Sequence, residues 1–318
     1  MFVRELQSGQ SVDQILLVRE IEVRRKKDGD EFLKMVLADR TGAVAGVMWD
    51  GTSELAELFV AGTVARVTGR YAVKEPYGPQ LTIAEIEIAD PSQYALEDLL
   101  DGPTRALDEM VAGLRELIAS VQDPSLADLL NRILGEDSDI WPQFRDAPAA
   151  KFNHHAYRHG LLDHSLQVAD CVAAISATFP GINRDLALTG ALLHDIGKLE
   201  AYTQDPQNID LTDAGRLQGE IPLGYYRIRR EIEEINGFGP ETAQALLHII
   251  LSHHGQLEHG SPVLPSTREA TLVHMIDNLG GRLGSFDRLE KELAEGAQWS
   301  RFDRTIGGGA FFGDRQVA

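Results

Sequence analysis

The sequence predicts a multidomain chain of two unlike halves, an all-β barrel followed by an all-α helical bundle. Three observations predict this. At 318 residues the chain is long for one domain, since ~150 residues per domain gives about two. After Asp90-Pro91 the spacing of apolar residues changes from two to about 3.6, from strand to helix periodicity. All ten histidines lie at or beyond His154, so the chemistry-bearing residues are concentrated in the second half.

The β half covers residues 1–90. Ile15 to Val23 alternates apolar and polar residues, and Arg24 to Asp30 supplies a turn. Phe32 to Ala38 follows, then the turn Asp39-Arg40-Thr41-Gly42, then Ala43 to Trp49. A helical stretch, Thr52 to Phe59, precedes the strands Val64 to Val73 and Leu81 to Ile88, which Lys74 to Pro79 join with proline and glycine where a hairpin loop needs them. Three strands, a helix and two strands is the order of an OB-fold, a five-stranded barrel that binds oligonucleotides on its second and third strands and two hairpin loops.

Residues 91–150 read as a helical linker region. Leu107, Met110, Leu114 and Leu117 share one helical face, Leu126 to Leu134 mark a second helix, and Trp141 to Ala150, with two prolines, looks like a connector. Residues 151–318 form the second domain with its tail. Its helices are Leu161 to Thr178, Asp185 to Leu193, Glu241 to His254 and Ser266 to Leu293. The tail, Trp299 to Ala318, carries Gly307-Gly308-Gly309 before Phe311-Phe312, and either folds back over the body or is disordered.

Composition narrows the function classes. No stretch free of Asp, Glu, Lys and Arg reaches the ~18 residues of a membrane helix. The longest, Thr242 to Leu257, contains three histidines. The first ten residues lack the apolar core of a signal peptide, and a lone Cys171 makes no internal disulfide, so the expected compartment is the cytoplasm. The net charge of −19 argues against a salt-driven binder of duplex DNA, though metal ions can supply positive charge locally. Residues 1–90, with 11 basic and 15 acidic residues, are the less acidic part and the better place to meet a polyanion.

The polar groups of the helical half form a pattern. His164 lies on the first turns of an amphipathic helix, His194-Asp195 ends an apolar helix, His253-His254 closes another, and Asp277 lies in a fourth. Imidazoles and carboxylates from separate helices can bind one or two transition metals and leave positions open for water. Side chains of adjacent residues at a helix end point about 100° apart, so His194 can hold one ion while Asp195 bridges two. Each histidine taken alone reads as an ordinary core or surface residue. Four apolar helices each carrying such a group is harder to explain without partners, because burying polar groups is costly. His274, three residues before Asp277 on the same face, reads as an ordinary helix residue or as support for the site. His154 and His155 read either as loop structure or as possible substrate contacts. Lys198, one turn beyond His194, reads as a catalytic residue steadying a phosphate oxygen or as a surface lysine.

The order His…His-Asp…Asp resembles the HD-domain superfamily of metal-dependent phosphohydrolases. The strings Asn153-His-His-Ala-Tyr157, Gly160-Leu-Leu-Asp-His-Ser165, His194-Asp-Ile-Gly-Lys198 and Leu251-Ser-His-His-Gly-Gln-Leu-Glu258 are more specific, as is Gly260 to Pro265 followed by Asp277-Asn278. With the N-terminal OB-fold, they resemble the YhaM family of 3′→5′ exoribonucleases over nearly the whole chain. The resemblance implies that His164, His194, Asp195 and Asp277 bind a first metal, Asp195 bridging, and that His253 and His254 complete a second site. It also shows one departure: Glu220 stands where the family usually has a histidine. A carboxylate ligand is harder than imidazole and moves preference towards manganese or magnesium, whereas a solvated glutamate at a helix start would leave the second site weaker.

The expectation is a metal-dependent 3′→5′ exoribonuclease that hydrolyses single-stranded RNA to 5′-mononucleotides, with Asp195 and Lys198 catalytic. The expected cofactors are two divalent ions, manganese first, with magnesium, cobalt or iron as alternatives. Single-stranded DNA stays open as a substrate and a homo-oligomer as an assembly; no membrane partner is expected. On the barrel, Phe32 and Lys34 would share one face of the second strand, and the loop carrying Lys74 and Tyr77 would grip the strand. Two rivals remain: an HD-domain phosphohydrolase of nucleotides or cyclic dinucleotides, and a non-enzymatic nucleic-acid-binding module.

Overall fold

The computed structural model describes residues 2–26, 29–50, 53–74, 78–100, 102–151, 155–205, 208–291, 293 and 296–313. The N-terminal half is a closed five-stranded barrel. Its elements are β1 (Ser11–Arg25), β2 (Glu31–Asp39), β3 (Gly42–Met48), α1 (Ser53–Leu58), β4 (Val64–Lys74) and β5 (Gly78–Ile88). The strands run round the barrel in the order β1-β2-β3-β5-β4, and β1 closes it by pairing antiparallel with β4. β3 and β5 pair in parallel, which requires the intervening α1 and β4 to bring the chain back to the starting end. Alternation puts Leu33, Met35 and Leu37 of β2 inside with Leu16, Val18, Val67 and Leu81, while Phe32 and Lys34 face outward. This is the expected order of strands, with the first longer than its apolar alternation indicates.

The second half is helical: α2 (Leu107–Ala119), α3 (Pro124–Leu134), α4 (Trp141–Asp146), α5 (Gly160–Ser176), α6 (Arg184–Leu193), α7 (Lys198–Ala201), α8 (Asp213–Gln218), α9 (Glu220–Glu233), α10 (Pro240–Ser252) and α11 (Arg268–Lys291). Side-chain caps start some of these helices. Asp123 caps α3 by accepting from the Ser125 and Leu126 amides, and Asn183 caps α6 by accepting from Leu186.

The stretch read as a linker is more than a connector. Met110, Leu114, Leu126, Leu130, Trp141 and Phe144 lie in one continuous core with Leu161, Leu166, Leu188 and Leu192. The apolar faces of α2 to α4 pack on one another and are closed over by α5, α6 and α9. Residues 299–312 fold back onto α11. Asp303 pairs with Arg288 at 2.6 Å, Phe312 packs edge-on to Phe286, and Trp299 bridges to Phe311. Residues 314–318 of the tail lie outside the described residues. Among the described residues no helix is long and apolar enough to cross a membrane.

Candidate metal centre

Five helix ends and faces converge to place the histidines and carboxylates. His164 comes from the second turn of α5, His194 and Asp195 from the turn after α6, and Asp277 from α11. Their first group is tight. The His164 Nε2 lies 3.1 Å from His194 Nε2, 3.2 Å from Asp277 Oδ1 and 3.2 Å from Asp195 Oδ2. His194 Nε2 is 3.3 Å from the same Asp195 oxygen. The second group is Asp195, Glu220, His253 and His254, whose donor atoms all lie within 4.8 Å of one another. Asp195 belongs to both sides: Oδ2 faces His164 and His194, and Oδ1 lies 3.4 Å from His253 Nε2. The Asp195 carboxylate therefore stands between the two donor groups, one oxygen towards each.

The outer nitrogens of three rings are committed to backbone carbonyls. His194 Nδ1 donates to Ala191 O at 2.8 Å, His253 Nδ1 to Ile250 O at 2.7 Å, and His254 Nδ1 to His259 O at 2.7 Å. Donation from Nδ1 leaves the Nε2 lone pair of a neutral ring aimed into the centre, the arrangement that orients imidazole ligands. Asp195 Oδ1 and His253 Nε2 are buried without a hydrogen-bond partner. Two lone-pair groups facing each other cannot satisfy one another, and leaving both unpaired in the interior is costly. A cation between them removes the difficulty, so the donor set fits divalent metal.

Electrostatics agree. Burial alone would raise the Asp195 carboxyl, but the Lys198 charge and the hydrogen bond from His164 hold it far below the usual carboxylate range. Asp277 is held low against its burial by the hydrogen bond with His164, and Glu220 by the Lys198 charge. Burial disfavours the His164 imidazolium, yet its contacts with Asp195 and Asp277 outweigh this and push the ring up to about 9. Lys198 is partly buried, its side chain 13% exposed and its Nζ 2.7 Å from Asp195 Oδ2, so it is not a free surface lysine. In this structure its ammonium faces Asp195 and Glu220, adding positive charge at the bridging carboxylate.

Two close backbone approaches bring the elements together. A Cβ on Gly197 would lie 2.0 Å from the Glu220 carbonyl oxygen and 2.5 Å from the Gly224 amide nitrogen. The glycine of His194-Asp-Ile-Gly-Lys198 thus lets the start of α9 press against α7, which is what carries Glu220 to Asp195. Gly255, at φ +74°, has a similar part, because a Cβ there would strike the His274 ring at 2.0 Å. His274 Nδ1 donates to His253 O at 2.8 Å and ties α11 to the end of α10.

The remaining sequence-picked residues divide. His155 is 4% exposed, packs edge-on to Tyr157 and lies with its ring 5.2 Å from that of His164. It sits behind a candidate ligand rather than on the surface, held at φ 62° by the loop, so its position favours bracing over substrate contact. His154 and Tyr77 lie outside the described residues, as does the side chain of Lys74. On the barrel, Phe32 lies 5.0 Å from Trp49, a residue 44% exposed, with the Lys26 ammonium 6.0 Å from the Trp49 ring. Lys34 is exposed on the same face as Phe32. Trp49 closes the third strand expected from the sequence. The pairing of Leu33 with Met48 makes it the cross-strand neighbour of Phe32, a relation that only the register supplies.

Residues 161–281 match the HD domain family, and residues 20–89 match a family described as an OB-fold nucleic acid binding domain. A relative from Geobacillus sp. (strain WCH70), named 3′-5′ exoribonuclease YhaM, is 30% identical over 292 residues, which are 91% of this chain and 87% of the relative. Among solved structures, the second OB-fold domain of replication protein A from Methanococcus maripaludis, determined by NMR, is 25% identical over 28% of this chain and 94% of its own, with a TM-score of 0.23. A crystal structure of a domain of the same protein is 23% identical over 29% of this chain and 97% of its own, with a TM-score of 0.24.

Proposed function

The chain belongs to the family of the 3′-5′ exoribonuclease YhaM, and we propose that it is a metal-dependent exoribonuclease that shortens single-stranded RNA from the 3′ end and releases 5′-mononucleotides. The observation that carries the chemistry is the shared carboxylate: Asp195 stands between two donor groups with one buried oxygen unpartnered. In the proposal His164, His194, Asp195 and Asp277 hold one divalent ion, and Asp195, Glu220, His253 and His254 hold a second. When bound, such ions lower the pKa of water and neutralise charge on phosphate oxygens. The chain's own groups do the rest. Carbonyls of Ala191, Ile250 and His259 fix the imidazole tautomers, and Lys198 keeps Asp195 ionised while adding charge that favours an incoming phosphate. Glu220 gives the second group a hard oxygen donor, which supports manganese over softer-ligand metals.

The barrel supplies the approach. Phe32 and Trp49 offer aromatic faces beside Lys26 and Lys34, the combination that binds single strands by stacking and charge. This matters on a chain of net charge −19, where general attraction of RNA is absent. Single-stranded DNA offers the same faces and remains an accepted substrate in the proposal. With Cys171 alone there is no internal disulfide to form, and the proposed setting is the cytoplasm. The test is a time course on 5′-labelled single-stranded RNA with manganese beside Asp195→Ala. A ladder shortening from the 3′ end in wild type alone is expected. Turnover retained by folded Asp195→Ala would remove the assignment, and no shortening by metal-loaded wild type would move the weight to a nucleotide phosphohydrolase.

A further inference from the structure

Beside the second donor group lies a cleft of ≈ 400 Å³, bounded by α7, α8, the start of α9 and the turn at His259-Gly260. Glu220 and His254, two of the four donors of that group, form part of its lining. Tyr202 and Leu211 form another part, paired through an isolated antiparallel bridge. The bridge is held by the Thr203 amide donating to Asp210 O at 2.8 Å and the Asp210 amide donating to Thr203 Oγ1 at 2.9 Å. Gln218 and His259 add polar groups, and the His259 carbonyl is the acceptor that orients His254. The volume is near the lower end of the ~300–1,000 Å³ typical of small-molecule sites, room for one nucleoside rather than a run of nucleotides.

We propose that this cleft is the subsite for the 3′-terminal nucleoside, with Tyr202 and Leu211 as the surface against which its base packs. The proposal rests on the exoribonuclease reading and deepens it. In the hydrolysis the water oxygen bonds to phosphorus, the bond from phosphorus to the 3′ oxygen of the penultimate nucleotide breaks, and that oxygen leaves with a proton from the water. The phosphate stays on the 5′ oxygen of the terminal nucleoside, so a single nucleoside must be housed on the retained side of the scissile phosphate. A cleft of one-nucleoside size, walled by donors of the centre, meets that need and sets the product at one nucleotide.

The test compares two esters with the same leaving group on manganese-loaded enzyme: uridine 5′-(4-nitrophenyl phosphate) and methyl 4-nitrophenyl phosphate. Tyr202→Ala is expected to raise KM for the uridine ester about tenfold more than for the methyl ester, equivalent to ~1.4 kcal/mol and within the range of a base–aromatic stack. Tyr202→Phe should restore the ratio. Leu211→Ala, at a more exposed position, should shift it in the same direction and serves if Tyr202→Ala fails to fold. Equal KM changes on both esters would overturn the subsite and make Tyr202 a support of the centre itself. A larger effect on uridine 3′-(4-nitrophenyl phosphate) would overturn it by putting the departing strand in the cleft. A wild type that cleaves neither these esters nor RNA would overturn the exoribonuclease reading and the subsite with it, whereas RNA cleavage with an unchanged ester ratio in both variants overturns the subsite alone.

Discussion

Replacing Gly197 by alanine isolates the contact that joins α7 to α9. Gly197 has an ordinary right-handed helical φ of −67°, so alanine has no conformational objection to the position and the cost is purely steric. The new Cβ would sit 2.0 Å from the Glu220 carbonyl oxygen, and both offending atoms belong to backbone. Relief to 3.0 Å, below which such contacts are not found, requires about 1 Å of retreat by the start of α9. Overpacking of this kind costs ~1–3 kcal/mol, and at ~2–4 °C per kcal/mol for a unit of about 200 residues the middle of that range lowers Tm by ~4–8 °C. Glu220 moves with the helix, and its separation from Asp195 is part of the donor geometry of the second group only. Gly197→Ala should therefore lose metal bound through Glu220 while His164, His194 and Asp277 keep theirs, and kcat should fall by about a hundredfold, as a ~1 Å misplacement does. Metal content by mass spectrometry of the purified variant, beside a thermal melt, checks both. A variant with the wild-type Tm and full metal content would refute the close approach, and loss of all metal with the fold intact would refute the division into two groups.

Trp49→Ala should weaken binding of a single-stranded RNA oligomer by about tenfold, the low end of a lost base stack, and leave KM for a mononucleotide ester close to wild type. Fluorescence anisotropy and ester kinetics read the two quantities, and a parallel change in both would remove the barrel from the path of the strand. Metal uptake should depend on pH with a definite sign. His164, pushed up to about 9, carries a proton below that pH in the metal-free protein, and a metal must displace it. Apparent affinity should thus rise by about tenfold per pH unit between roughly pH 7 and 9 and flatten above. Calorimetry in two buffers of different ionisation heat would show the released proton, and its absence would mean that His164 is not displaced from Asp195 and Asp277.

What the sequence makes legible here is whatever local periodicity and residue chemistry encode. The strand order of the barrel follows from alternation and turn residues, and the donors are visible as polar groups interrupting apolar helices. The element that was not legible is the contact across the chain. α7 and α8 are too short to show a period, and the bridge between Tyr202 and Leu211 pairs two residues that no alternation marks. Glu220 looks like any glutamate at a helix start until Gly197 and Gly224 bring its helix against Asp195. His155 could not be oriented from sequence because its placement depends on a left-handed backbone turn. The periodicity of α2 to α4 announced apolar faces but could not say what would cover them.

The sharing of one core by α2 to α4 with α5 and α6 has a consequence for how the chain is made. The barrel core draws on residues 6 to 83, so this unit can close as soon as its last strand has left the ribosome. The three helices that emerge next have no such option: Leu114, Leu130 and Phe144 wait for Leu161 and Leu188. During synthesis, at ~5–20 residues per second, the nascent chain therefore carries a folded barrel followed for some seconds by exposed apolar helices. Slowing translation between α4 and α6 would lengthen that interval and favour aggregation, while the same slowing before α2 would cost nothing.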